Sequence, residues 1–273
     1  MCILFANQAS RASSGCPEPT EPTTISTPID IAELKGLRQE THRTLGFGFV
    51  GLLLAFPLLA ELIEANLLHI AISVLVYAAI AVAIVMFLPL HLPQSRFGPA
   101  NRISLLRGLI IAVLAGFAWN TPASPDVEWV VFILASCALV LDGVDGTVAR
   151  RSGMASELGA RLDRELDGLL TLVLCCVIYL SGRVEAFVLI AGMMHYAFLV
   201  ARKLNLMSAT SLPPSFRRQA AGVLSSVLLV VCCAPSMGAS VDMGLALTVI
   251  VLLTTSFSCD IIAGFRTTSI LQR

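Results

Sequence analysis

Long apolar runs without a single charge recur along this chain and limit what it can fold into more than any other feature. Residues 71–90, "AISVLVYAAIAVAIVMFLPL", contain no Asp, Glu, Lys or Arg. A bilayer core about 30 Å thick is crossed by roughly 20 apolar helical residues. Such runs place spans at roughly 45–63, 67–91, 103–119, 127–145, 162–181, 184–201, 220–236 and 243–264. Only 13% of residues are charged, about half the usual share in soluble domains. The expected fold class is all-α, a polytopic membrane protein with eight spans.

The eighteen Lys and Arg fix an orientation. With the N-terminal tail on one side, all but Arg183 fall on that side, which the positive-inside rule makes cytoplasmic. Both termini are then cytoplasmic, as an even number of spans requires. Residues 1–44, with "ASRASSGCPEPTEPTTISTP" near their start, are expected to form a disordered tail, since that composition cannot bury a core. No basic and long apolar region precedes Cys16, so a lipoprotein signal is not expected. Six of the eight cysteines (Cys137, Cys175, Cys176, Cys232, Cys233, Cys259) lie inside apolar runs, where a thiol behaves as a small hydrophobe.

Against this background the stretch "LDGVDGTVARRSGMASELGARLDRELDGLL", residues 141–170, stands out. Asp142, Asp145, Gly146 and Ala149 share one helical face, and so do Gly159, Asp163 and Asp167. The short connection "RRSGMASEL" makes the two helices antiparallel neighbours, so four carboxylates converge near the membrane surface. They cannot all stay ionised at close range without compensation. A hard divalent cation, Mg²⁺ or Mn²⁺, supplies it and keeps positions open for phosphate oxygens. Gly146 and Gly159 leave room for a substrate near the backbone, and Arg150 and Arg151 add positive charge suited to a phosphate. Solvated aspartates at helix ends would be an ordinary reading for one or two carboxylates, but not for four on matched faces. A cation pathway in a transporter accounts for the charges and leaves the glycines, Ala149 and Arg150 without a reason.

The segment "DGVDGTVARRSGMASELGARLDRELD" fits the pattern D-x2-D-G-x2-A-R-x8-G-x3-D-x3-D at every specified position. The chain thereby resembles the CDP-alcohol phosphatidyltransferase family, over about residues 96–266, including the upstream "GPANRISLLR". The resemblance implies a six-helix catalytic core at 94–273, preceded by a two-helix extension at 45–93. It also implies metal-dependent transfer of a phosphatidyl group from a CDP-lipid, with CDP-diacylglycerol the expected donor, to an alcohol acceptor, with release of CMP. Asp142, Asp145, Asp163 and Asp167 are then the metal ligands, with a two-metal site expected, and Asp167 is also the general base. Gly146, Ala149, Arg150, Ser156 and Gly159 would line the CDP-lipid site. The expected setting is a bacterial inner membrane with the active site cytoplasmic. A homodimer is expected, and nucleic acid is not expected as a partner.

Other polar residues carry weaker expectations. Asn101, Ser104 and Arg107, three residues apart at one helix mouth, would touch the nucleotide or cap the helix. Arg202, Lys203, Arg217 and Arg218 flank a cytoplasmic loop and would anchor it to anionic lipid heads or hold an acceptor phosphate. His195 and Asp260 are expected to serve packing or interfacial solvation. The residues around the last two aspartates, "LGARLDRELDGLL", depart from the "LDPxADK" and "LDSLAD" of better-known acceptor classes. Glycerol 3-phosphate is the expected acceptor on prevalence in the family, with inositol phosphate or serine as alternatives. Residues 45–91 carry no Lys or Arg, so packing, targeting or oligomerisation is expected of them rather than chemistry.

Overall fold

A computed structural model describes residues 31–63, 66–92, 96–119, 124–152, 156–203, 216–235 and 238–271. Among these residues there are eight α-helices and no strand: α1 (Ile31–Ile63), α2 (Leu67–Phe87), α3 (Pro99–Phe117), α4 (Pro125–Ser152), α5 (Glu157–Leu180), α6 (Val188–Lys203), α7 (Phe216–Cys232) and α8 (Ala239–Leu271). A short 3-10 turn, Leu88–His91, closes α2. The protein is an all-α integral membrane protein. Four helical segments, Leu67–His91, Pro99–Phe117, Pro125–Ser152 and Ala239–Ser258, are long and apolar enough to cross a bilayer, and shorter apolar stretches lie in α6 and α7. Large apolar side chains point outward, among them Leu58, Leu75, Met86 and Val140, as expected where the solvent is lipid.

The helices start where local chemistry lets them. Gly98, at φ 79°, adopts a backbone open to glycine, and Pro99 at the first helical position begins α3 with no donor to waste. Ser156 caps α5 by accepting the Gly159 N–H at 3.1 Å, worth about 1 kcal/mol. α3 is the central helix: 72% of its apolar window is buried, against 22% for the windows of α2, α4 and α8. It packs on α1, α2, α4 and α5. Between α5 and α6 the approach is closest at Gly168, whose missing side chain makes room for the His195 ring, and at Gly192, where a Cβ would lie 3.0 Å from Leu172 Cα. In lipid, where apolar burial drives little, such close contacts carry helix association.

Two boundaries differ from expectation. The tail expected to be disordered through residue 44 is helical from Ile31 onward. The reason is an amphipathic stripe: Leu37, Thr41 and Leu45 recur at fourfold spacing and are buried. Residues 1–30, with Cys16, lie outside the described residues. The helices that carry the aspartates also run past the expected span limits at 145 and 162, since α4 continues to Ser152 and α5 begins at Glu157.

At the end of the bundle remote from the aspartates, Arg183 ties three elements together. Its guanidinium pairs with Glu128 of α4 at 2.5 Å. It also donates to the carbonyls of Cys232 and Ala234, at 2.7 and 2.6 Å, at the end of α7. The one basic residue expected on the far side is thus consumed in a structural junction.

Candidate active site

Three helices build the site. α4 presents Asp142 and Asp145 one turn apart, α5 presents Asp163 and Asp167 one turn apart, and α3 brings Ser104 and Arg107 between them. Asp145 is buried, 4% exposed, and accepts the Ser104 hydroxyl at 2.8 Å. Arg107 is fully buried. Its Nη1 donates to Asp142 at 2.5 Å and to Asp163 at 3.2 Å, and its Nη2 pairs with Asp167. The four carboxylates expected to converge do so, three on one guanidinium and Asp145 beside them.

The outward sides of this cluster stay open. The side chains of Asp142, Asp163 and Asp167 are 27%, 45% and 52% exposed, whereas that of Arg107 is 0% exposed. The floor is therefore sealed and the carboxylates face a space that a ligand can enter. One arginine against four aspartates leaves an excess of three negative charges, more than Arg107 alone can offset. Asp142, Asp145 and Asp163 each offer a carboxylate oxygen within 4.8 Å of the others. This all-oxygen set fits a hard divalent ion. Asp167 stands beside that triplet, engaged by Arg107.

The remaining candidate residues are placed as follows. Arg150 is exposed, its Nη2 3.4 Å from the Thr147 hydroxyl, and one of its guanidinium nitrogens lies 3.4 Å from where a Gly146 Cβ would stand. Ala149 is half-buried one turn beyond Asp145 and Gly146. A Cβ at Gly159 would come 3.2 Å from Asn101 Oδ1, so the space beside this glycine is where α3 approaches α5. Asn101 is itself buried and donates to the Phe97 carbonyl at 2.6 Å. Of the trio at the mouth of α3, Ser104 and Arg107 thus contact the aspartates directly, while Asn101 braces the helix start. His195 packs on Gly168. The side chains of Arg202, Lys203, Arg217, Arg218 and Asp260 lie outside the described residues.

Sequence reasoning passed over two residues near the site. His91, fully buried, reaches Ser156, and Glu40 of α1 accepts the Phe97 N–H at 3.2 Å and pairs with Arg102 at 2.8 Å. Only a histidine at the end of an otherwise apolar run could have hinted at the first.

The comparisons with known proteins bear on this arrangement. The profile of the CDP-alcohol phosphatidyltransferase family matches residues 97–257, well over half of the chain and the whole of the aspartate cluster. The chain belongs to the CDP-alcohol phosphatidyltransferase family. Membership places it among the membrane transferases of that name. A curated relative, the archaetidylinositol phosphate synthase of Aeropyrum pernix, is 35% identical over 88 residues, which is 32% of this chain and 43% of the relative. The match thus spans less than half of that enzyme. No solved structure matches.

Proposed function

We propose that the protein transfers the lipid phosphate group of a CDP-lipid to an alcohol acceptor and releases CMP, in phospholipid biosynthesis. The observation that carries this reading is the convergence of Asp142 and Asp145 of α4 with Asp163 and Asp167 of α5 across α3, with an open outer side, within the segment the family profile matches. In the reaction, a bond forms between the acceptor oxygen and the lipid-side phosphorus. The bond from that phosphorus to the CMP oxygen breaks, and CMP leaves with the electron pair.

Each residue has a role its placement suits. Asp142, Asp145 and Asp163 would hold Mg²⁺ or Mn²⁺, and Asp167 beside them would add a ligand if a second ion binds. When bound, the metal supplies positive charge against the pyrophosphate and its developing negative charge. Asp167 takes the acceptor proton: Arg107 engages Oδ1, and among the described residues no hydrogen bond is made to the other oxygen, which can meet a hydroxyl. Arg107 holds three of the carboxylates in register from beneath. Arg150, with Gly146, Ala149, Ser156 and Gly159, flanks the CDP-lipid. Charge asymmetry supports a cytoplasmic site, and a lipid donor can then enter from the bilayer while its cytidine stays in water.

The acceptor is proposed as a phosphorylated polyol. Prevalence in the family favours glycerol 3-phosphate. The relative whose named product is archaetidylinositol phosphate brings inositol phosphate forward as the first to try. The test is CMP release by purified protein in detergent, with CDP-diacylglycerol and each acceptor in turn. Release should need Mg²⁺ or Mn²⁺ and stop with a chelator. Asp142→Ala, Asp145→Ala, Asp163→Ala and Asp167→Ala should each lower the rate by about 10²-fold or more, the scale for loss of an electrostatic contact to a transition state. Full activity in Asp167→Ala removes its role as base, and metal-independent release overturns the mechanism. Cation movement across sealed vesicles without CDP-lipid turnover would favour a transporter instead.

A further inference from the structure

The two helices that precede the family-matched segment reach into the site from outside it. His91, at the end of the turn that closes α2, is fully buried, with Nδ1 2.8 Å from Ser156 Oγ and Nε2 2.7 Å from the Arg96 carbonyl oxygen. The carbonyl can only accept, so Nε2 carries the proton. In the neutral ring Nδ1 then accepts from the Ser156 hydroxyl. Ser156 Oγ in turn accepts the Gly159 N–H at 3.1 Å. The chain of hydrogen bonds runs in one direction, from the first turn of α5 through Ser156 and His91 to the backbone just ahead of α3. Beside it, the Arg161 guanidinium of α5 stacks 3.9 Å over the ring of Phe87, the last residue of α2.

A second tie comes from α1. Glu40 accepts the Phe97 N–H through Oε2 at 3.2 Å and pairs with Arg102 through Oε1 at 2.8 Å. Phe97 is fully buried and its carbonyl holds Asn101, so Glu40 grips the start of the helix that carries Ser104 and Arg107. The starts of α3 and α5, which carry four of the six side chains in the cluster, are thus fixed by residues of α1 and of the turn after α2.

We propose that His91 and Glu40 are positioning residues of the active site, which makes residues 31–92 a working part of the catalytic unit. His91 sets where α5 begins and Glu40 sets where α3 begins. Together they hold Asp163 and Asp167 at the spacing from Asp142 and Asp145 that a metal and a pyrophosphate need. This rests on the function proposed above, and neither residue touches substrate.

Full-length protein carrying His91→Phe, His91→Asn, Ser156→Ala, Glu40→Ala or Glu40→Gln tests the assignment. His91→Phe keeps a ring and loses both hydrogen bonds. His91→Asn loses volume and keeps an acceptor near the Nδ1 position. Mn²⁺ affinity is read by electron paramagnetic resonance without turnover. Spin labels at Arg151→Cys and Arg164→Cys, with background cysteines replaced by serine, read the separation of α4 and α5 without metal. His91→Phe should broaden that separation and weaken Mn²⁺ binding about tenfold, the lower end of effects from outer-shell partners. His91→Asn should lie closer to wild type, and the double variant His91→Phe/Ser156→Ala should lose less than the sum of the two single variants, since both remove the same hydrogen bond. Glu40→Gln, which retains an acceptor for Phe97, should be milder than Glu40→Ala. In turnover the loss should fall on kcat more than on KM for the CDP-lipid. The reverse order, with His91→Phe better than His91→Asn, assigns His91 to packing and overturns the proposal. So does a wild-type label separation in inserted His91→Phe. If wild-type protein releases no CMP, the reaction is refuted while the label separation still decides the positioning role.

Discussion

Arg107 carries a buried positive charge into a place where four carboxylates would otherwise repel one another. Its guanidinium spans Asp142, Asp163 and Asp167, a reach that the single point charge of lysine does not reproduce. Without metal, Arg107 is the main compensation among the described residues, so its removal should shift that duty onto the ion. Arg107→Met should be less stable than wild type in chelator, by about 2 kcal/mol once the half-open carboxylates are discounted. That is roughly 5 °C for a domain of this size. Added Mg²⁺ should recover more of the thermal stability in Arg107→Met than it adds to wild type. Equal metal-induced shifts in both proteins would show that Arg107 does not counterbalance the cluster. The aspartates themselves were legible from spacing alone, because i, i+3 and i, i+4 positions must share a helical face. The partners of Arg107 were not, since periodicity places it on a face with Ser104 and says nothing of which helices that face meets.

At the level of helices, the α5–α6 contact bears directly on Asp167. Gly168 follows that aspartate, and the His195 ring occupies the space its side chain would fill. Gly168→Ala should force the helices apart or push the ring aside, at about 1–3 kcal/mol for overpacking, and should lower activity through the displaced Asp167. Opening the space with His195→Ala in the same chain should recover most of the thermal stability. A Gly168→Ala protein as stable and active as wild type would show that the contact is soft. Uncharged runs announced the helices well, but two ends were misplaced. The stretch "IAELKGLRQETHRT" before the first apolar run reads as polar by composition. Its buried stripe of Leu37, Thr41 and Leu45 becomes meaningful only against the helices that cover it.

For the molecule as a whole, the distribution of basic residues and the placement of side chains agree on two unlike ends. One gathers the aspartates with Arg150 and Arg151, and the other holds the junction of Arg183 with Glu128, about 20 Å away along α4 at 1.5 Å per residue. Membrane-impermeant thiol reagents should therefore reach Arg151→Cys and Glu185→Cys from opposite faces of sealed vesicles, both positions being exposed. Labelling of both from one face would show that α5 does not cross the membrane as the sequence predicts. Fold class and the meeting of the aspartates were thus open to a reader of the sequence. The role of the N-terminal helices was not, because His91 and Ser156 are 65 residues apart and Glu40 and Arg102 are 62 apart.

The burial of Arg107 also has a consequence in time. Ribosomes deliver the chain from its N-terminus at about 5–20 residues per second. Arg107 precedes Asp142 by 35 residues and Asp167 by 60. For several seconds during synthesis, α3 is therefore present with an arginine whose partners have not yet been made. An arginine at the centre of a lone membrane helix costs about 2.5–3.5 kcal/mol to insert. Arg107 lies about two turns from the Pro99 end of α3, near enough for its long side chain to stay in the headgroup layer meanwhile. That reach lets the charge stay hydrated until α4 and then α5 supply the carboxylates that pair with it.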